Sequence, residues 1–343
     1  MLLRALAPLA QNREPLTPET VPDPVPGPRE AVVRVFTCAV CHTELDEIEG
    51  RLPPSALPRI LGHQVVGVVE ELPTGPPAAS PLRRGQRVGV AWIYDACGRC
   101  EYCRTGRENL CPHFRGTGRD ADGGYAEFMR VPVDFLHSLP DSLSDRAAAP
   151  LLCAGAIGYR SLRMAGIEDG ALFGLVGFGG SGHLVLKTAL HLFPRSQAFV
   201  FSRNAEEREL ARSLGAAWTG AIEDDPPELM SAIIETTPVW SPVLAALKRL
   251  RPGGRLVINA IRKESSDTHA LTTLDYAAHL WMEKQIQSVA NVTRADVREF
   301  LALADRAGIT PEYQLFDLDQ ANVALAELRQ GQIRGAKVLQ IAA

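Results

Sequence analysis

Four cysteines crowd into the stretch Cys97-Gly-Arg-Cys100-Glu-Tyr-Cys103-Arg-Thr-Gly-Arg-Glu-Asn-Leu-Cys111. Three thiols at three-residue spacing, with a fourth eight residues on, can close around one zinc ion as a tetrahedral set of thiolates. Four protein ligands leave no open position, so such a site staples a loop and does no chemistry. Disulfides are the competing use for cysteine. The first residues, MLLRALAPLAQNRE, are broken by Arg4 and Pro8 before a secretory core forms. A cytoplasmic location is therefore expected, where thiols stay reduced.

Cys38, Cys41 and Cys153 lie outside that cluster. Catalytic zinc takes three protein ligands and keeps a fourth position for water or substrate. Cys41, His63 and Cys153 would supply such a set with a total charge near zero. They are far apart in sequence, so spacing does not single them out, and a buried structural cysteine with a loop histidine is the plainer reading. Cys38 reads as a small buried residue beside Cys41 rather than as its redox partner.

A third motif is Gly177-Phe178-Gly179-Gly180-Ser181-Gly182, which matches the dinucleotide fingerprint G-x-G-x-x-G. It follows an apolar strand-like run and opens a helix-like one, the context the fingerprint requires. Gly177 would make the tight turn, Gly179, with Gly180 beside it, would admit the pyrophosphate, and Gly182 would let the helix pack closely. The helix N-terminus would face the phosphate charge. Further on, the second strand ends in Ser202-Arg203-Asn204 with no acid before Glu206. An acid there would bind a ribose 2′-hydroxyl, whereas Ser202 and Arg203 suit a 2′-phosphate. NADP(H) is favoured over NAD(H).

These groups need elements to hold them. Six prolines between Pro15 and Pro28 forbid helix there. Ala31–Val35 and Val65–Glu70 are β-branched runs typical of strands, and Gly123-Gly124 turns into another, so the front third reads as an irregular β-rich domain. Ser144 is a helix cap. From Ala171 onward, strands (172–177, 197–202, 232–235, 255–260) alternate with helices (181–192, 205–214, 242–250). Arg251-Pro-Gly-Gly is a turn between the last pair. That alternation predicts a doubly wound parallel sheet. The tail carries two helical segments, 294–307 and 319–329, and a last strand, 336–341.

Composition excludes several classes. The 343 residues suggest two domains, and 46% hydrophobic with 22% charged residues is ordinary globular composition. A net charge of −4 gives no footing for nucleic acid, so a zinc-ribbon reading of the cysteine loop is disfavoured. No apolar run reaches membrane-spanning length. A non-catalytic, zinc-stapled dinucleotide sensor or scaffold stays as an alternative.

Taken together, CAVCHTEL, LGHQVVGVV, ACGRCEYCRTGRENLC, DGGYAEF, APLLCAGAIGYRSL, GLVGFGGSGH and SVANVTRADVREFL resemble the zinc-dependent alcohol dehydrogenases of the medium-chain dehydrogenase/reductase superfamily. The likeness runs over nearly the whole chain. It implies an α/β protein: a GroES-like β-rich catalytic domain (1–152 and 292–343, with a structural zinc lobe near 95–113) plus a Rossmann domain (153–291). It implies two zinc ions, a catalytic one on Cys41, His63 and Cys153 and a structural one on the four-cysteine loop. It also implies a homodimer or homotetramer.

By the same likeness Thr43 contacts the substrate hydroxyl and starts its proton relay. Trp92 and Leu52 line the pocket, which suits primary alcohols or aldehydes. His42 approaches the pyrophosphate, with Arg334 a looser match for the same task. Three positions depart from the family pattern: Gln64 stands for a glutamate behind the metal, Glu44 for the aspartate that orients the zinc histidine, and Asp46 for the histidine that ends the relay. A polyol- or aldehyde-reducing member of the same superfamily is the nearest competing reading.

Overall fold

The computed structural model describes residues 1–74, 82–331 and 335–342. Two compact units emerge, Met1–Ala156 with Val292–Ala343, and Ile157–Asn291. The division falls four residues later than the 152/153 boundary expected from the sequence, so Cys153 belongs to the first unit.

In the first unit the long strand β1 (Glu30–Val40) is the hub. Its β-branched residues are packed on both sides, with Ala31, Val33 and Val35 fully buried. A seven-residue helix, α1 (His42–Ile48), follows at once. Strands β2 (Gln64–Glu71), β3 (Arg87–Val90), β4 (Phe128–Pro132) and β5 (Leu136–Ser138) complete the front of the sheet. β2 and β3 stack beside β1, while β4 pairs antiparallel with its first half. Both strands read from the sequence extend further than the apolar runs alone indicate, because ladder bonds carry them beyond the β-branched core.

The second unit is a six-stranded parallel sheet. Its elements are β6 (Leu172–Val176), α2 (Gly182–Leu192), β7 (Gln197–Phe201), α3 (Ala205–Ser213), β8 (Trp218–Gly220), β9 (Met230–Glu235), α4 (Ser241–Lys248), β10 (Leu250–Ile258) and β11 (Gln285–Ser288). The strand order is β8-β7-β6-β9-β10-β11, the doubly wound arrangement whose order reverses between β6 and β9. Two expectations need correction. Arg251–Gly254 does not form a free turn but lies inside β10, where the pairing register with β9 shifts and Gly253 takes φ +72°. Strand β11 escaped the sequence reading because all four of its residues are exposed, leaving no apolar alternation to see.

The chain then returns to the first unit through α5 (Arg294–Ala307), β12 (Tyr313–Asp317), α6 (Ala321–Arg329) and β13 (Ala336–Gln340). Thr293 caps α5 in a reciprocal box with Asp296, and Gly308 ends it in the left-handed conformation. β13 pairs antiparallel with the second half of β1, closing the sheet β5-β3-β2-β1-β13-β12. Among the described residues no helix is long and apolar enough to cross a membrane.

Candidate active site

The cysteine lobe comes together locally. Cys97, Cys100, Cys103 and Cys111 place their sulfurs within 4.8 Å of one another. Cys97 and Cys103 are 3.9 Å apart, and the Cys103 N–H points at the Cys100 sulfur at 3.5 Å. Backbone N–H groups of Arg99 and Cys100 hold the Cys97 thiol down at about 6, whereas burial and the Cys100 thiol push Cys103 up to about 12. Cys97 and Cys103 are thus moved in opposite directions. A tetrahedral dication would bind all four as thiolates.

The second set is built by register. Ala39 of β1 pairs with Gln64 of β2, so the end of one strand lies beside the start of the other. Cys41, at the N-terminus of α1, and His63, just before β2, are thereby neighbours. Gly62 makes the turn into His63 with φ +98°, and a Cβ there would sit 2.4 Å from the Tyr125 ring. Cys153 arrives from a π-helical turn, Leu151–Gly155, that interrupts the helical run after Pro150. Such turns re-aim side chains out of the regular helical track. A donor atom from each of Cys41, His63 and Cys153 lies within 4.8 Å of the others.

Glu44 organises this trio. Its Oε1 is 2.6 Å from His63 Nδ1, and its Oε2 accepts the Cys41 backbone N–H at 2.8 Å. With Nδ1 turned to the carboxylate, the buried Nε2, which has no hydrogen-bond partner among the described residues, is left to face the sulfurs. Desolvation works against it, but the Glu44 charge holds the His63 pKa well above the usual value. The Cys153 thiol donates toward Cys41, whose pKa falls well below the thiol range while that of Cys153 rises well above it. Two sulfurs and an oriented imidazole, held by an outer carboxylate, fit a zinc ion with one open position. The longer side chain of Glu44 reaches the histidine despite its extra methylene.

Around the trio, the Thr43 hydroxyl lies 3.6 Å from the Cys41 sulfur and is buried. The Trp92 indole meets His63 edge-on, ring centroids 6.4 Å apart, and leans on Phe114. In the second unit Gly177 takes φ +86°, and a Cβ there would come within 2.5 Å of the Thr236 hydroxyl. A Cβ on Gly182 would meet the Gly177 carbonyl at 2.9 Å. This is a turn that only glycine can make, at the start of a parallel strand's helix and beside the point where the strand order reverses. Such a cradle fits a pyrophosphate.

Residues 27–141 match the model of the alcohol dehydrogenase GroES-like domain. Over 332 residues the chain is 46% identical to a probable alcohol dehydrogenase, AdhA, of Mycobacterium tuberculosis, covering 95% of this chain and 93% of that one. The chain belongs to the zinc-type alcohol dehydrogenases of the medium-chain dehydrogenase/reductase superfamily. An alcohol dehydrogenase of Geobacillus stearothermophilus is 32% identical over 91% of each chain. Among solved structures, a cinnamyl alcohol dehydrogenase of Sorghum bicolor superposes with a TM-score of 0.85 at 28% identity, covering 99% of this chain and 97% of that one.

Within this alcohol dehydrogenase the remaining expected residues sit unequally. Asp46 is buried and paired with Arg51 at 2.7 Å, so its carboxylate is tied to a cation rather than free at the end of a relay. Leu52 is half-buried, its N–H on the Asp46 carbonyl. His42 is exposed on the first turn of α1. Ser202 is occupied: its hydroxyl donates to Glu207 and accepts the Asn204 N–H at 3.1 Å. Arg203 beside it is exposed. Arg334 lies outside the described residues.

Glu47 is a residue the sequence reading missed. It follows Glu44 by one helical turn, is fully buried, and neither carboxylate oxygen has a hydrogen-bond partner among the described residues. Burial, with the Glu44 charge, pushes its pKa well up. Nothing in HTELDEIEG distinguishes it from a solvated acid. Only the burial of the whole turn does.

Proposed function

We propose that this alcohol dehydrogenase interconverts primary alcohols and their aldehydes with NADP(H), using Cys41, His63 and Cys153 to hold a catalytic zinc. The single observation that carries the reading is the trio itself: three donors converge from three separate elements, and a buried carboxylate fixes the histidine's tautomer. A zinc ion held there supplies a Lewis acid for the substrate oxygen. A dinucleotide bound at the Gly177 turn would supply the hydride chemistry.

The chain's own residues do the rest. Glu44 accepts a hydrogen bond from His63 Nδ1–H and so turns Nε2 toward the sulfurs, where a metal would bind in place of its proton. Thr43 Oγ1, next to the Cys41 sulfur, accepts a hydrogen bond from the substrate hydroxyl and, as that proton arrives in oxidation, gives its own hydroxyl proton onward to solvent; in reduction both transfers run in reverse. Trp92 closes one side of the pocket with an apolar face, which excludes water and favours a flat or narrow chain. An aromatic primary alcohol, the class named for the Sorghum relative, suits that wall. Where the proton goes after Thr43 is not through a free Asp46 carboxylate, since Arg51 holds it. The four-cysteine lobe would hold a second zinc with a purely structural role.

NADP(H) is preferred because β7 ends without an acid at 202–204 and presents the exposed Arg203 cation. With the Ser202 hydroxyl engaged by Glu207, Arg203 is left as the group that would neutralise a 2′-phosphate. Self-association through the second unit is part of this reading. β11 is an exposed sheet edge, and Ile286, Tyr276, Trp281 and Met282 expose apolar surface near it in sequence.

A panel of aliphatic and aromatic alcohols with each dinucleotide, followed by nicotinamide absorbance, tests the activity. Turnover of primary alcohols with NADP is expected. Arg203→Ala should raise KM for NADPH far more than for NADH, and equal effects would sink the cofactor assignment.

A further inference from the structure

At the carboxyl end of β9, Glu235 is fully buried in the middle of the parallel sheet. Its carboxylate pairs with Lys263, itself only 7% exposed, which lies in the segment after β10. The same carboxylate accepts the Thr237 N–H at 2.7 Å and the Thr237 hydroxyl. The Lys263 ammonium also donates to the carbonyls of Thr237 at 2.7 Å and Val239 at 3.1 Å. Its three donors thus have three acceptors, all in the segment 235–239.

That segment is fastened on its other side too. The Thr236 N–H and hydroxyl both donate to the Val176 carbonyl, at 2.9 and 3.1 Å, just before the glycine turn. Thr236 and Thr237 are the atoms a Cβ on Gly177 would strike, at 2.5 and 3.2 Å. The Asn259 N–H reaches the Glu235 carbonyl at 2.7 Å, joining the end of β10. Three strand ends therefore meet at one buried ion pair. They do so beside the β6–β9 reversal, where parallel sheets of this type bind their ligands.

A buried pair is expensive to desolvate and is weak evidence for stability by itself. This one spends all its hydrogen bonds on fixing one loop against the glycine turn. We propose that Glu235 and Lys263 are positioning residues for the dinucleotide: they lock Thr236–Val239 as the wall on which the Gly177 turn rests, and thereby set dinucleotide affinity. Both groups are saturated by protein partners, so neither binds the ligand itself. The inference rests on the dinucleotide reading given above.

Charge and position predict opposite signs for one variant. Glu235→Gln removes a negative charge near a site for an anionic ligand, so an effect through charge alone would tighten binding. Loss of position would weaken it. The test is a fluorescence titration of the full-length, zinc-replete protein with NADPH and NADH. Melting temperature and metal content are read alongside as checks on the fold.

Glu235→Gln and Lys263→Met are each expected to raise Kd about tenfold, the scale of coupling within one buried polar network. Lys263→Arg should recover most of the loss. If Lys263→Met does not fold, the double variant Glu235→Gln with Lys263→Met leaves no unpaired charge and carries the same expectation. Wild-type binding with Kd unchanged in the folded variants, or tighter binding by Glu235→Gln, overturns this inference alone. A wild-type chain that binds neither dinucleotide overturns the dinucleotide reading and the inference with it.

Discussion

The two candidate metal centres contrast in how they are made. The lobe draws its four sulfurs from one stretch, 97–111, whose short helix and turns fold around them with little help from elsewhere. The trio draws Cys41 from a strand end, His63 from a glycine turn and Cys153 from a π-helical turn more than 80 residues away in sequence. The first is a closed set that can only hold a loop. The second leaves a position open, and it exists only when the sheet register and the π-turn are both in place. Stability belongs to the local centre, chemistry to the assembled one.

The sharpest break is on the chemical side. Cys153→Ser should lower turnover by roughly a thousandfold or more, since the metal's electrostatic contribution is worth several kcal/mol and each 1.36 kcal/mol is tenfold. The melting temperature should scarcely move, and one metal equivalent should remain on the lobe. A steady-state assay with metal analysis checks this.

The converse substitution, Cys100→Ser, should cost several kcal/mol of stability, because a structural metal's binding energy is folding energy. Turnover per folded molecule measured at low temperature should stay close to wild type. Denaturant unfolding and an activity assay on the same sample distinguish the two effects. If this variant instead loses activity while keeping its stability, the division of labour is reversed.

A third change bears on the cost of the assembled site. Glu47 is buried without a hydrogen-bond partner, and its folded pKa is raised. A raised carboxyl pKa means that the group favours folding only when protonated. Its cost appears as pH rises through the ordinary carboxylate range and beyond. Glu47→Gln should therefore stabilise the metal-free protein near neutrality by about 1–3 kcal/mol. Unchanged or lower stability in urea titrations at pH 7 would contradict it.

The smallest effect concerns the lobe's anchor. Glu108, buried, accepts the Arg294 backbone N–H at 2.8 Å and the guanidinium at 3.1 Å, tying the lobe to the start of α5. Burial alone would raise its pKa, but the Arg294 N–H and charge outweigh it and hold it below 4.5. A depressed carboxyl pKa gives stability that is present above about pH 4.5 and is lost as pH falls below it. Glu108→Gln should cost about 1 kcal/mol or less at pH 7, with the difference from wild type vanishing in acid. Paired thermal melts across that range read it.

The same contrast explains what was legible in the sequence. The lobe was readable because its ligands are neighbours, and the glycine turn because strand, turn and helix follow one another. The trio was not readable from spacing: only the resemblance joined Cys41, His63 and Cys153, since register between β1 and β2 is a property of the folded sheet. The parallel sheet followed from alternation, except for its two edge strands, β8, too short at three residues to show a pattern, and β11, whose exposed QIQS carries none, and for Arg251–Gly254, where a turn-like sequence is absorbed as an irregularity in β10. Glu47, Glu235 and Lys263 were invisible for a related reason. Charged residues announce solvent in a sequence, and their burial is decided by tertiary packing.

The central claim is that Cys41, His63 and Cys153 hold a metal with an open position. Crystals of the zinc-replete enzyme, measured at the zinc absorption edge, test it most directly. Two anomalous peaks per chain are expected, one among the four lobe sulfurs and one about 2.3 Å from the sulfurs of Cys41 and Cys153 with His63 Nε2 as third ligand. A single peak confined to the lobe, with the three side chains turned apart, would contradict it.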